Sequence, residues 1–255
     1  YFATTSYRAN GLVVQDAVQD LLLVRSMVSS KMYSLFKTYV LAGVSEGGLI
    51  TTLSIERYPS SYYAGLAMYG PIGDFRQQVD YWGDARALYD VYYAGSLPPD
   101  AVTIANSTVE NWYYDLNAYK TTRISAALTD LNRTLELLDS SAAPYGPLDD
   151  GDPTTIDLTL EQTVTTTLLG LLDYNIYATE NGKLVLGGSP FDNTTRNYPF
   201  SVLFNRDLDG LVARYTASST ALANIPPYNT PGVLTKPLVF MHTTGDPLVP
   251  YWHMH

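Results

Sequence analysis

Residues 43–47 read Gly-Val-Ser-Glu-Gly, a serine with a glycine two positions away on either side. An apolar run, Tyr39-Val40-Leu41-Ala42, precedes it, and Leu49, Ile50, Leu53 and Ile55 follow at helical spacing. That setting suits a sharp strand-to-helix turn that lifts the Ser45 hydroxyl above the edge of a sheet. The helix starting there aims free N–H groups at developing negative charge. The chemistry on offer is attack by Ser45 on a carbonyl carbon, with the backbone N–H of Glu46 as one oxyanion donor. Far downstream lies His242-Thr243-Thr244-Gly245-Asp246-Pro247-Leu248-Val249-Pro250. An aspartate just past a strand, after the serine in the chain, is placed to orient an imidazole and stabilise its charged form, which makes Asp246 the candidate acid. Asp74, which follows Ala64–Tyr69 through Gly70-Pro71-Ile72-Gly73, is the alternative acid.

The chain has three histidines, His242, His253 and His255, and no cysteine. Without cysteine or a pair of histidines at helical spacing, no metal site is expected, and no cofactor either. His242 reads as a structural group beside the acid loop. Asp149, Asp150 and Asp152 fall in a Pro/Gly-rich loop whose spacing does not match a calcium-binding hand, so a solvated turn is expected.

Composition narrows the class. In 255 residues, 46% are hydrophobic and 16% charged, which is globular. The net charge of −10 disfavours nucleic acid as a partner. No apolar run reaches membrane-spanning length, so no membrane span is expected. Asn106-Ser107-Thr108, Asn132-Arg133-Thr134 and Asn193-Thr194-Thr195 are glycosylation triplets. With 22 tyrosines and few lysines, they favour an extracellular, secreted protein.

The elements that would position these residues alternate. Tyr1–Tyr7 is β-prone, Asn10 stands as a helix N-cap, and Leu12–Val28 has a helical apolar stripe. Then come the run at Tyr39–Ala42, the helix to Tyr58-Pro59, and a strand at Ala64–Tyr69. This is β-α-β-α-β and predicts a parallel sheet. From about Phe75 to Gly232 the periodicity is mainly helical, with one face at Leu128, Leu131, Leu135 and Leu138 and another at Leu158, Val164, Leu168 and Leu172. Its aromatic residues, among them Tyr81, Trp82, Tyr89, Tyr92, Tyr93, Trp112, Tyr113 and Tyr114, are expected mostly in packing. The strand signal returns at Leu238–His242.

The G-V-S-E-G-G and H-T-T-G-D-P-L-V-P segments together resemble the α/β-hydrolase superfamily, in particular its prolyl-oligopeptidase-like and esterase-type serine hydrolases. The resemblance covers residues 1–74 and 233–255. It implies an α/β fold: a parallel-sheet hydrolase core in two parts, 1–74 and 233–255, interrupted by a mainly helical cap insertion at 75–232. It implies an acyl-enzyme on Ser45 and a small-molecule ester or peptide as substrate. It also implies a catalytic histidine well beyond Asp246 and a second oxyanion donor upstream of Tyr1, so the chain is expected to lack both ends of the core. His253 and His255 are expected to point away from the site, and Ser45 and Asp246 to face a common space that admits an imidazole. Glu46 is expected to face solvent or the cap and to pair with Arg76. The alternative reading is a catalytically silent hydrolase-fold protein serving as an extracellular binding or structural subunit.

Overall fold

The computed structural model of the protein describes residues 1–31, 37–97, 99–145 and 158–254. The expected acidic turn at Asp149, Asp150 and Asp152, and His255, lie outside the described residues. In chain order the elements are α1 (Val14–Lys31), β1 (Val40–Val44), α2 (Glu46–Arg57), β2 (Ala64–Met68), α3 (Phe75–Tyr92), α4 (Asn106–Tyr113), α5 (Tyr119–Thr129), α6 (Leu131–Ser140), α7 (Leu160–Leu186), β3 (Phe200–Ser201), β4 (Arg206–Asp207), α8 (Ser219–Asn224) and β5 (Leu238–Met241), followed by a 3-10 turn at Tyr251–Met254. The fold is mixed α/β, with eight α-helices among the described residues and a three-stranded parallel sheet in the order β1-β2-β5. The chain forms two compact units. One holds Tyr1–Gln78, Asn224–Thr244 and Tyr251–His255; the other holds Val79–Ala223 and Gly245–Pro250.

In the first unit the three apolar runs expected as neighbouring parallel strands are those strands. Val40–Val44 pairs with Ala64–Met68, and Gly65–Met68 pairs with Leu238–Met241. Helix α2 is buried from Gly48 through Ile55, against the sheet on one side and α1 on the other. Its Leu49, Ile50, Leu53 and Ile55 are buried, each stabilising by about 1.5–3 kcal/mol. It stops at Arg57, just before Tyr58-Pro59, because the residue before a proline is pushed out of helical geometry.

Two expectations at the start of the chain need correction. Tyr1–Tyr7 forms no strand. Tyr7 turns left-handed at φ 48. The Arg8 backbone N–H donates to Asp20 Oδ2 at 3.2 Å and its Nε to Asp20 Oδ1 at 2.9 Å, which ties the segment to α1. A β-prone sequence without a pairing edge stays an irregular stretch. Nor is Asn10 the cap of α1, which begins at Val14 and takes its cap from Glu46.

The second unit is mainly helical, with a core that includes Leu88, Tyr89, Trp112, Ile124, Leu137, Leu138, Leu168, Leu171, Leu172 and Ile176. The leucine face at 128–138 is split between α5 and α6. Asp130 breaks the helix between them, and its side chain accepts from the Arg133 N–H. Helix α7 opens with a capping box between Thr159 and Gln162 and carries Val164, Leu168 and Leu172 into the core, while Leu158 precedes it and is exposed. Short strands β3 and β4 pair antiparallel within the stretch read as mainly helical. Arg86 is buried and donates to Asp90, to Asn175 Oδ1 and to the Leu97 carbonyl. Tyr81, Tyr89, Tyr92, Tyr93 and Trp112 are buried, whereas Tyr113 and Tyr114 are exposed.

The three glycosylation triplets differ in setting. Asn106 and Asn132 are exposed. Asn193 is 1% exposed, and its Nδ2 donates to the Tyr198 hydroxyl at 2.8 Å and the Ala213 carbonyl at 2.9 Å. The folded unit therefore has no free amide nitrogen at Asn193 and no room there for a glycan.

Candidate active site

Strand β1 ends at Val44, and α2 begins one residue after Ser45. Ser45 carries the whole reversal, at φ 57 and ψ −125. A left-handed φ in a residue with a Cβ costs about 1–3 kcal/mol and persists only where the surroundings over-determine it. Here they do. The Ser45 N–H donates to the Met68 carbonyl at 2.8 Å, and its own carbonyl accepts from Gly48 N at 2.8 Å. A Cβ on Gly43 would lie 2.0 Å from the Gly47 carbonyl oxygen, so only glycine fits at 43. A Cβ on Gly48 would meet the Met68 carbonyl at 2.8 Å, and one on Gly70 would meet Leu49 N at 2.9 Å and the Ser45 carbonyl at 3.0 Å. Gly47, by contrast, has open space around it. The turn is thus held close to the end of β2 at Gly48 and Gly70, and to the start of α2 at Gly43.

The Ser45 hydroxyl is half-buried and makes no hydrogen bond with a described residue. The Glu46 N–H, first in α2, likewise donates to no described residue. A hydroxyl beside a free helix-start N–H is the pair that carbonyl addition requires.

Glu46 does not pair with Arg76. Its carboxylate accepts from the Val13 N–H at 3.0 Å and from the Val14 N–H, so it caps α1. Burial pushes its carboxyl above the usual range, against the lowering by these two amides.

The strand register sets a row across the sheet. Val44, Met68 and Met241 are aligned partners, so the next level holds Ser45, Tyr69 and His242. The Tyr69 N–H donates to the Met241 carbonyl at 2.9 Å. Tyr69 is itself left-handed at φ 52, and its ring meets His242 edge-on, with centroids 5.8 Å apart. His242 Nδ1 lies 2.9 Å from the Thr243 carbonyl oxygen. A carbonyl only accepts, so Nδ1 carries a hydrogen, while Nε2 is buried and has no hydrogen-bond partner among the described residues. The strand expected over Ala64–Tyr69 ends at Met68, because Tyr69 turns left-handed.

His253 is buried on the Tyr251–Met254 turn, its Nδ1 3.2 Å from Gln78 Oε1. Burial, and then the His242 charge, push its imidazole down to about 4. Asp74 is exposed and receives the Arg76 N–H on Oδ1 at 3.0 Å, which starts α3.

In the second unit, α3 holds the loop that carries Asp246. The Tyr81 hydroxyl donates to the Pro247 carbonyl at 2.7 Å and Trp82 Nε1 to the Leu248 carbonyl at 3.1 Å. Burial, and then the Asp246 charge, push the Tyr81 phenol up. Asp246 Oδ1 accepts from Leu248 N at 2.9 Å and Val249 N at 3.0 Å. Its Oδ2 makes no hydrogen bond with a described residue. The carboxylate is held by one oxygen and has the other available.

Among the described residues no group of three or more His, Asp or Glu is gathered to hold a metal ion, and no helix is long and apolar enough to cross a membrane. Compared with protein-family models, curated proteins and solved structures, the chain matches none.

Proposed function

We propose that the chain is an α/β-hydrolase-type serine hydrolase, cleaving an ester or peptide bond through an acyl-enzyme on Ser45. The observation that carries this reading is the left-handed Ser45 at φ 57, clamped between a parallel strand and a helix N-terminus. A serine on so sharp a strand-to-helix turn has its hydroxyl raised at the end of the sheet, which is the setting a nucleophile needs. In the proposed reaction Ser45 Oγ bonds to the carbonyl carbon while its proton passes to an imidazole. The oxyanion takes a hydrogen bond from the Glu46 N–H. The carbonyl–heteroatom bond then breaks, the imidazole returns the proton to the leaving group, and water repeats the sequence to free the acid.

Asp246 is the proposed acid, through Oδ2, because Oδ1 is fixed by two backbone amides. The proposed base is a histidine other than His242 and His253, whose rings are turned to Thr243, Tyr69 and Gln78. The stretches 1–74 and 233–255 would then be the hydrolase core and 75–232 its cap. The exposed triplets at Asn106 and Asn132 support a secreted protein.

The test is turnover of an activated ester by the purified full-length protein, with the histidine proposed as base present. Ser45→Ala should abolish it without loss of fold, and Asp246→Asn should lower it by roughly 10⁴-fold. Full turnover in Ser45→Ala would remove the nucleophile, and full turnover in Asp246→Asn would move the acid role to Asp74. A second reading, a silent hydrolase-fold binding subunit, draws on one observation: neither His242 nor His253 bonds the Ser45 hydroxyl.

A further inference from the structure

In the second unit, β3 and β4 pair through Phe200↔Asp207 and Ser201↔Arg206, and residues 202–205 make the turn between them. Alternation sends successive side chains to opposite faces. Ser201 faces inward: it is buried, and its hydroxyl donates to Glu136 Oε1. Phe200 and Val202 therefore face outward, 54% and 80% exposed, and Leu203 beside them is 45% exposed. Phe204 turns back and packs on Tyr92, with ring centroids 5.2 Å apart.

This exposure is fixed by the turn itself. The Leu203 N–H donates to both carboxylate oxygens of Glu136 at 3.2 Å, and the Phe204 N–H donates to Ser201 Oγ at 3.1 Å. Asn205 closes the turn left-handed at φ 50. Three large apolar side chains are thus held in water next to one another. Apolar residues scattered singly on a surface need no explanation, but a contiguous set marks an interaction site. An outward-pointing turn of this kind is a shape that sinks into the boundary of a lipid layer. The rim is charged. Arg206 and Asp207 are both exposed, and neither side chain makes a hydrogen bond or ion pair with a described residue. One charge of each sign matches a phosphocholine headgroup, with the guanidinium for the phosphate and the carboxylate for the quaternary ammonium. The net charge of −10 sets the chain against an anionic lipid surface.

We infer that the turn at Phe200, Val202 and Leu203 is a peripheral membrane-contact site that dips into a zwitterionic phosphocholine surface, with Arg206 and Asp207 at the headgroup level. The inference stands apart from the chemistry assigned to Ser45, because vesicle binding is read without turnover.

The experiment is co-flotation of the full-length protein with vesicles of phosphatidylcholine and, separately, of phosphatidylserine. Wild type should float with phosphatidylcholine and less with phosphatidylserine. Val202→Asp should lower the phosphatidylcholine partition coefficient by roughly 10- to 100-fold, the effect of withdrawing one apolar side chain of this size, and Val202→Trp should raise it. Position 202 points into solvent, so both variants should melt with wild type. Failure of wild type to float with phosphatidylcholine, an unchanged partition in Val202→Asp, or stronger flotation with phosphatidylserine overturns the inference. So does a wild-type dimer that Val202→Asp dissociates while vesicle binding is absent, since the turn then meets protein and not lipid.

Discussion

Ser45, Tyr69 and His253 each sit in a state that an isolated residue would not choose, and each makes a measurable demand. For Ser45 and Tyr69 the demand is backbone strain; for His253 it is a buried imidazole. The His253 pKa of about 4 in the folded chain lies below the ordinary 6.5. Between those pH values the unfolded chain binds a proton that the folded chain refuses. Stability linked to His253 is therefore complete above about pH 6.5 and is lost as pH falls toward 4, by at most about 1.4 kcal/mol per pH unit. Among the groups it faces are Gln78, beside Nδ1, Trp252, which meets the ring edge-on, and His242, whose charge adds to the penalty. Urea midpoints at pH 7, 6, 5 and 4.5 should fall more steeply for wild type than for His253→Gln, and equal slopes would show that the imidazole does not carry the effect. None of this was legible in the sequence, where His253 and His255 look alike.

At the scale of elements, Glu46 joins two helices. Its N–H opens α2, and its carboxylate closes the start of α1 through the Val13 and Val14 amides. Glu46→Ala leaves those amides without their acceptor and should cost about 1–3 kcal/mol, read as a lower denaturation midpoint, with Glu46→Gln costing less because an amide oxygen still accepts. Equal loss in the two variants would point to packing rather than the bond. This partnership spans residues 13 to 46, so a local reading placed the cap at Asn10. The strands were legible for the opposite reason. Short apolar runs bounded by Gly-containing turns read as parallel strands, although only β2 is buried on one face while β1 and β5 stay largely exposed. Tyr1–Tyr7 has the same local character, but strand formation needs a partner edge, and Arg8 instead commits the segment to Asp20. In the second unit the leucine spacing was right and the boundary was not, because one aspartate, Asp130, ends α5 and caps α6.

For the whole molecule, the acidic surface, the two units and the parallel sheet set the frame, and the proposed chemistry lies at the carboxyl ends of the strands. The serine turn was legible from five residues and their flanks, whereas the row Ser45–Tyr69–His242 needed the register between β1, β2 and β5. The central claim is that Ser45 is an activated nucleophile. The most direct measurement is to react the folded full-length protein with a fluorophosphonate, digest it, and locate the adduct by mass spectrometry, since an activated hydroxyl attacks phosphorus as it does a carbonyl. The account predicts one adduct, on the peptide that carries Ser45, and none in Ser45→Ala. A folded protein whose Ser45 stays unmodified, or labelling that persists in Ser45→Ala, would contradict it.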